Sequence, residues 1–173
     1  MKRSELASLP VYFGDYIKEV EDIDLISALV KYGPEMFVKD LPTLEKIGGN
    51  TYAENKWTIK QILQHLADTE RVFLYRALSF ARKDETPLPS FDENLYAEIS
   101  NSNRRSLNEI LTEFESIRNS ALTMFQGFTE EMLLSTGNCS GKEASVAAIG
   151  FTIAGHTFHH YKVIRERYFL LAD

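Results

Sequence analysis

The chain has 173 residues, of which 44% are hydrophobic and 25% are charged. This length favours a single domain over residues 1–173 with a sizeable core, and the composition argues against extensive disorder. The formal net charge of −6 provides no basic field for a phosphate backbone, so we expect no nucleic acid among the partners.

The single cysteine, Cys139, excludes an intramolecular disulfide. It lies in a stretch of Gly, Ser and Asn residues with no histidine nearby, which favours an incidental loop thiol over a nucleophile. The segment Met1 to Pro10 lacks the apolar core of a signal peptide, and no apolar run approaches the length of a membrane span. We therefore expect a soluble, cytoplasmic protein that does not bind a membrane.

The first predicted helix runs from about Asp22 to Lys39, where apolar residues recur at helical spacing. Gly33-Pro34 must kink or divide it, because proline removes a backbone donor and crowds the preceding turn. Leu41-Pro42 is expected to end this first helix.

The second helix has the clearest pattern. Thr58 can cap it, and apolar side chains then recur at helical spacing until the helix stops before Pro87. The connection from Thr86 to about Asn101 is long for a loop in a helical bundle. Loops of this length are often functional, so the segment Phe91 to Tyr96 is a candidate lid over a site.

The third helix is expected to run from Ser102 or Asn103 to Gln126, with Gly127 as its C-cap. A short helix over Glu130 to Leu134 and a fourth long helix from about Glu143 to Leu171 follow. No strand-like alternation of useful length appears. Four long helices without strands predict an all-α fold, a four-helix bundle with one long loop between the second and third helices.

The four histidines of the chain lie on two of these helices. His156 and His160 are spaced i, i+4, so both imidazoles can reach one ion from the same helix face. At about 100° per residue, this pair lies near the middle of the buried stripe, whereas His159 points about 100° away, toward the rim. A third imidazole, His65 on the second helix, would leave a coordination position for water or substrate. The pattern predicts one divalent metal ion on His65, His156 and His160.

Each neighbouring polar residue has two interpretations. Asp68, Glu70 and Glu166 could accept hydrogen bonds from imidazole N–H groups, although solvated helix carboxylates are the more common case. Arg76 is in line with His65 and could attract an anionic substrate or form a salt bridge at the end of the bundle. The three histidines themselves could be core residues that hold no metal. Three aromatic residues are assigned to packing: Trp57, Tyr96 and Tyr161.

The segments around the histidines resemble the DinB-like (YfiT-type) metalloenzyme family. Those segments are Lys56-Trp57-Thr58-Ile59-Lys60, Gln64-His65-Leu66-Ala67-Asp68-Thr69-Glu70-Arg71, Tyr75-Arg76-Ala77-Leu78, the Phe-Asp-Glu connection within Pro87 to Glu93, Gly155-His156-Thr157-Phe158-His159-His160 and Glu166-Arg167-Tyr168. The order of the Trp-Thr-Ile-Lys…His element and the later His-x-x-x-His is specific, and the resemblance covers most of the chain.

This resemblance implies a four-helix bundle that holds zinc or nickel on His65, His156 and His160, with water at the open positions, and it implies a homodimer. Characterised relatives include thiol-dependent S-transferases and a mycothiol-dependent isomerase, and the family name reflects DNA-damage-inducible expression. Because three neutral imidazoles leave the charge of an ion uncompensated, a bound thiol or water would be deprotonated near neutral pH.

Two functions fit the sequence. The first is an enzyme that activates a low-molecular-weight thiol for S-transfer, or water for hydrolysis, on a small-molecule substrate. The second is a non-catalytic, stress-inducible protein that binds metal or a partner, and its support is that the sequence indicates no general base. Consumption of a thiol in a metal-dependent way would distinguish the two.

Overall fold

Gly33 and Pro34 divide the first predicted helix into two. The computed structural model describes residues 1–11, 13–139 and 141–172. The chain begins with a 3₁₀ turn, Arg3–Glu5, which is followed by four short helices: α1 (Gly14–Glu19), α2 (Leu25–Lys31), α3 (Glu35–Val38) and α4 (Leu41–Ile47). Helix α3 ends at Val38, before Leu41-Pro42, as predicted, but a further helix that the sequence did not indicate, α4, begins at Leu41. Pro42 lies in the first turn of α4, where the missing N–H group has no helical acceptor to lose.

Helix α5, Ile59–Ala81, begins where the sequence predicts. The Thr58 hydroxyl accepts a hydrogen bond from the Gln61 backbone N–H at 3.2 Å, and the Gln61 side chain accepts one from the Thr58 N–H at 2.9 Å. This reciprocal capping box fixes the start of the helix and therefore the direction in which His65 projects.

The long connection after α5 is not entirely a loop. It contains helix α6, Glu93–Ile99, and a 3₁₀ turn, Ser102–Arg104. The Asp92 carboxylate accepts hydrogen bonds from the backbone N–H groups of Asn94 and Leu95, both at 3.0 Å, and so caps α6. The candidate lid therefore consists of a helix start rather than a free loop.

Helix α7, Leu107–Gln126, starts later than predicted, because Ser106 caps it with Glu109 in a second capping box. Its C-cap at Gly127 is confirmed, and so is the short helix α8, Glu130–Leu134.

The expectation of no strands is wrong. An antiparallel hairpin pairs β1, Thr136–Cys139, with β2, Lys142–Ser145, in the register Thr136↔Ser145. The sequence does not indicate these strands, because they have four residues each and few β-branched or aromatic side chains. Gly141 supports the turn with a φ of +78°, in the left-handed region that favours glycine.

Helix α9, Val146–Val163, is the central helix of the bundle. It starts after the hairpin rather than near Glu143, and the chain continues as a π-helical segment, Ile164–Tyr168, and a 3₁₀ turn, Phe169–Leu171. Residues 146–157 are buried on every face, because α1, α2 and α5 pack around them. Helix α7 packs against α2 and α5, which completes a four-helix bundle.

Each helix that the structure describes is either too short or too polar to cross a lipid bilayer.

Candidate metal centre

The three histidines of the predicted set converge in the bundle. His65 projects from α5, and His156 and His160 project from consecutive turns of α9, which packs against α5. The Nε2 atom of His156 lies 3.1 Å from Nε2 of His65 and 3.1 Å from Nε2 of His160. The ligand atoms of all three lie within 4.8 Å of one another.

This convergence fits a divalent ion better than a hydrogen-bonded network. The Nε2 atom of a neutral imidazole carries either one hydrogen or one lone pair, so the His156 nitrogen can hydrogen-bond to only one of its two neighbours. A tetrahedral ion with metal–nitrogen distances of about 2.0–2.1 Å places its nitrogen ligands about 3.3 Å apart. The observed separations of 3.1 Å are close to that spacing.

Burial keeps these imidazoles neutral. The side chains of His65 and His156 are each 8% exposed, and burial lowers the pKa of His65 from 6.5 to about 4. Burial, together with the neighbouring histidines, holds the pKa of His156 and of His160 well below the usual value. The ligand lone pairs are therefore available to a cation at neutral pH.

Thr69, one turn beyond His65 on α5, lies against the outer nitrogen of that imidazole. Its hydroxyl is 3.3 Å from His65 Nδ1. If Nδ1 carries the proton and donates it to this hydroxyl, Nε2 presents its lone pair to the centre of the cluster. The Nδ1 atom of His160 is buried and has no hydrogen-bond partner among the described residues, so the protein does not fix the tautomer of that ring.

None of the three carboxylates considered as acceptors contacts a cluster imidazole in the described part of the chain. Asp68 accepts hydrogen bonds from Gln64 and Arg71, and Glu166 is exposed. Glu166 is therefore a solvated helix carboxylate, the more common interpretation, whereas Asp68 is half-buried and forms an ion pair with Arg71.

Glu70 is neither an acceptor for an imidazole N–H group nor a solvated carboxylate, because it is buried in an ion pair. Arg118 donates to it twice, from Nε at 2.8 Å and from Nη2 at 2.7 Å. The same guanidinium donates to the backbone carbonyls of Leu29 and Tyr32 and, at 3.1 Å, to the hydroxyl of Thr157. This pair joins α2, α5, α7 and α9 next to His156, and no spacing in the sequence indicates it.

Aromatic rings surround the cluster. The ring of Trp57 lies 4.7 Å from that of His65 and is stacked at 6.4 Å on that of His160. The Tyr168 hydroxyl donates a hydrogen bond to the Trp57 carbonyl at 2.5 Å, which holds this residue in place. Trp57, assigned to packing from the sequence, therefore packs against two of the candidate ligands.

Tyr16 covers the cluster from the side of α1. Its ring lies edge-on to that of His156 at 5.3 Å and to that of His159 at 5.1 Å. Helix α1 comes this close to α9 because residue 155 is glycine, since a Cβ there would lie 2.1 Å from the Tyr16 backbone oxygen. His159 is at the rim, as predicted, and is outside the group that could hold a metal.

A cavity of about 440 Å³ opens onto the three histidines. Its walls are largely aromatic, and they include Phe91 of the predicted lid, the guanidinium of Arg76 and the thiol of Cys139. Cys139 thus ends a strand that borders the cavity, whereas the sequence favoured an incidental loop thiol, and its Sγ atom is 3.8 Å from the Pro89 carbonyl. The bundle-end salt bridge considered for Arg76 is not found among the described residues.

Comparisons with known proteins identify a family and two similar proteins. The sequence profile of the DinB superfamily matches residues 36–164. A protein of Oceanobacillus iheyensis named as a proposed metal-dependent hydrolase, OB0413, is 31% identical over 117 residues, which cover 66% of this chain and 66% of that protein. YfiT from Bacillus subtilis, described as a proposed metal-dependent hydrolase with an unusual four-helix bundle topology, superposes with a TM-score of 0.74 at 18% identity, covering 84% of this chain and 88% of that one. The structural likeness confirms the four-helix bundle.

Proposed function

The chain belongs to the DinB superfamily, and we propose that it is an enzyme in which His65, His156 and His160 hold one divalent metal ion. The observation that carries the proposal is the convergence of three Nε2 atoms that cannot satisfy one another by hydrogen bonds. Zinc and nickel are the ions we propose, since neutral imidazoles suit both.

The metal, when bound, would act as a Lewis acid and lower the pKa of a water or thiol ligand toward neutrality. The protein would set the protonation state and orientation of the ligands and the access of water. Burial keeps the imidazoles unprotonated, and Thr69 orients His65 through its Nδ1 atom. Trp57 and Tyr16 limit the access of bulk water to the cluster, which strengthens electrostatic interactions there.

The cavity supports an enzyme over a protein that only stores a metal. A volume of about 440 Å³ that opens directly onto the three imidazoles suits a small-molecule substrate. The names of the relatives favour water as the nucleophile, and the resemblance in sequence favours a low-molecular-weight thiol. We propose that one of these two is activated at the cluster.

A two-arm assay tests the proposal. Protein loaded with zinc or nickel is given a panel of nitrophenyl esters in one arm, and a thiol panel with an aromatic chloride in the other. We expect turnover in one arm that a chelator abolishes and added metal restores. His156→Ala should remove it, whereas His159→Ala, which replaces a histidine outside the cluster, should retain it. Absence of metal-dependent turnover in both arms would contradict an enzymatic role.

We also propose that the protein is a cytoplasmic homodimer. Apolar side chains on α6 support an association surface, because Leu95 and Ile99 are 49% and 68% exposed. Light scattering at micromolar concentration should give twice the mass of one chain, and a mass of one chain would contradict the dimer.

A further inference from the structure

The cavity contains a second feature that the metal cluster does not use, the guanidinium of Arg76. This residue is 6% exposed, and it lines the same cavity as the three histidines. Its Nη2 atom donates a hydrogen bond to the Pro89 carbonyl at 2.9 Å, and its charge lies over the rings of Phe73 and Phe91 at 5.5 and 5.9 Å.

No carboxylate forms an ion pair with Arg76 anywhere in residues 1–11, 13–139 and 141–172. A buried charge without an opposite charge is costly, and burial accordingly lowers the pKa of this side chain. In Arg118, the other deeply buried arginine, the charge is neutralised in the usual way, by an ion pair with Glu70. Among the described residues, the Pro89 carbonyl is the one hydrogen-bond acceptor found for the Arg76 guanidinium, which leaves its other donors for a ligand.

The other charged side chains of the cavity do not neutralise Arg76. Glu93 borders the cavity but is exposed to solvent and forms no ion pair with Arg76. Lys142 contributes a second cation to the lining. The lining also includes the aromatic rings of Phe13, Phe73 and Phe91, of which Phe73 and Phe91 lie against the Arg76 guanidinium. The lining of the cavity therefore combines cationic side chains, apolar aromatic rings and a cluster of imidazoles.

We propose that Arg76 binds the carboxylate of the substrate, which is a small anionic molecule with an apolar body that extends to the histidine cluster. This inference rests on the proposed function for the reacting end of the molecule. A planar guanidinium matches a carboxylate with paired hydrogen bonds, and the aromatic walls would bury the apolar body.

The spacing on α5 sets the length of the molecule. His65 and Arg76 are eleven residues apart, so they share a helix face to within about 20° and their Cα atoms are about 16 Å apart. The Arg76 guanidinium lies over Phe73, one turn nearer to His65, which places it about 12 Å along the helix axis from the Cα atom of His65. An extended six-carbon thiol acid is about 8 Å long, which leaves room for contacts at both ends.

Trp57 makes the test independent of metal and of activity. It is the only tryptophan of the chain, and it lines the cavity beside His65. Metal-free protein is titrated with 6-sulfanylhexanoate, with the neutral 6-sulfanylhexanol and with the two-carbon sulfanylacetate, and the fluorescence of Trp57 is recorded. The variants are Arg76→Gln, Arg76→Lys and, as a control for charge, Arg82→Gln at the C-cap of the same helix and outside the cavity lining.

We expect saturable binding of the six-carbon acid that weakens at least tenfold in Arg76→Gln and less in Arg76→Lys, which keeps the charge but loses the paired geometry. The alcohol should bind equally to the native protein and Arg76→Gln, the two-carbon acid should bind weakly, and Arg82→Gln should change nothing. Three results would overturn the proposal: equal losses of affinity for the acid and the alcohol in Arg76→Gln, an unchanged affinity of that variant for the acid, or no binding of the acid by the native protein. Circular dichroism verifies the fold of each variant.

Failure of this inference is distinguishable from failure of the proposed function. If the histidines hold no metal, the preference of the metal-free cavity for the acid can still be measured. If metal-dependent turnover is found but acid and alcohol bind alike, only the role of Arg76 is contradicted.

Discussion

The buried histidines should make the metal-free protein sensitive to acid. Burial lowers the pKa of His65 to about 4 in the folded protein, whereas an unfolded chain returns it to about 6.5. Between these two values the unfolded state binds a proton that the folded state does not. The contribution of neutral His65 to the free energy of unfolding is therefore complete above pH 6.5 and is lost as the pH falls toward 4.

The magnitude follows from the gap between the two pKa values. A fall from 6.5 to about 4 for His65 corresponds to about 3 kcal/mol of unfolding free energy, of which about 2.5 kcal/mol is lost by pH 4.5. His156 and His160, whose pKa values are also lowered by burial, act in the same direction.

Urea unfolding of metal-free protein at pH 7.5 and pH 4.5 measures this effect, with His65→Gln as the comparison. The carboxylates titrate equally in both proteins, so the difference between them reports His65 together with its effect on the pKa of His156 and of His160. On acidification the native protein should lose about 2.5 kcal/mol more unfolding free energy than the variant. Parallel losses in the two proteins would refute the burial argument.

Three substitutions test other parts of the account. Glu70→Gln leaves the Arg118 guanidinium buried without its counter-charge and should cost about 3–5 kcal/mol of unfolding free energy in urea denaturation. Gly155→Ala forces α1 away from α9, so it should cost about 1–3 kcal/mol, measured in the same way, and weaken metal binding. Thr69→Val removes the hydroxyl beside the His65 imidazole and should weaken metal affinity about tenfold or more in a competition titration, with little loss of stability.

The Glu70 and Gly155 substitutions each have a matched control. Glu115→Gln removes an exposed carboxylate from α7 and should change stability by less than about 0.5 kcal/mol. Gly49→Ala adds a methyl group where no atom lies within 4 Å, so it should be tolerated. If a control and its test variant lose equal stability, the contact assigned to the test residue does not carry the effect. For Thr69→Val, an unchanged metal affinity would contradict its role at the imidazole.

The sequence predicted the features that depend on local spacing. The Thr58 cap, the division at Gly33-Pro34, and helix α8 over Glu130–Leu134 all follow from short-range chemistry, and the structure confirms them. The convergence of His156 and His160 follows from helical periodicity in the same way, and the resemblance supported the placement of His65 opposite them.

Features that depend on contacts between distant segments could not be predicted in this way. The Arg118–Glu70 pair joins residues 48 positions apart, and neither carries a local pattern that distinguishes it from an exposed helix charge. The position of Cys139 beside the cavity depends on a short hairpin with weak strand propensity. Tyr16 reaches the cluster only because a glycine on another helix allows two backbones to touch.

Metal analysis of purified protein that has never been exposed to chelator tests the central claim most directly. Elemental analysis and X-ray absorption should show one divalent ion per chain with three imidazole nitrogens at about 2.0–2.1 Å. His65→Ala, His156→Ala and His160→Ala should each reduce the content well below one ion, whereas His159→Ala should leave it unchanged. A metal-free native protein, or an ion that persists when all three cluster histidines are replaced, would contradict the account.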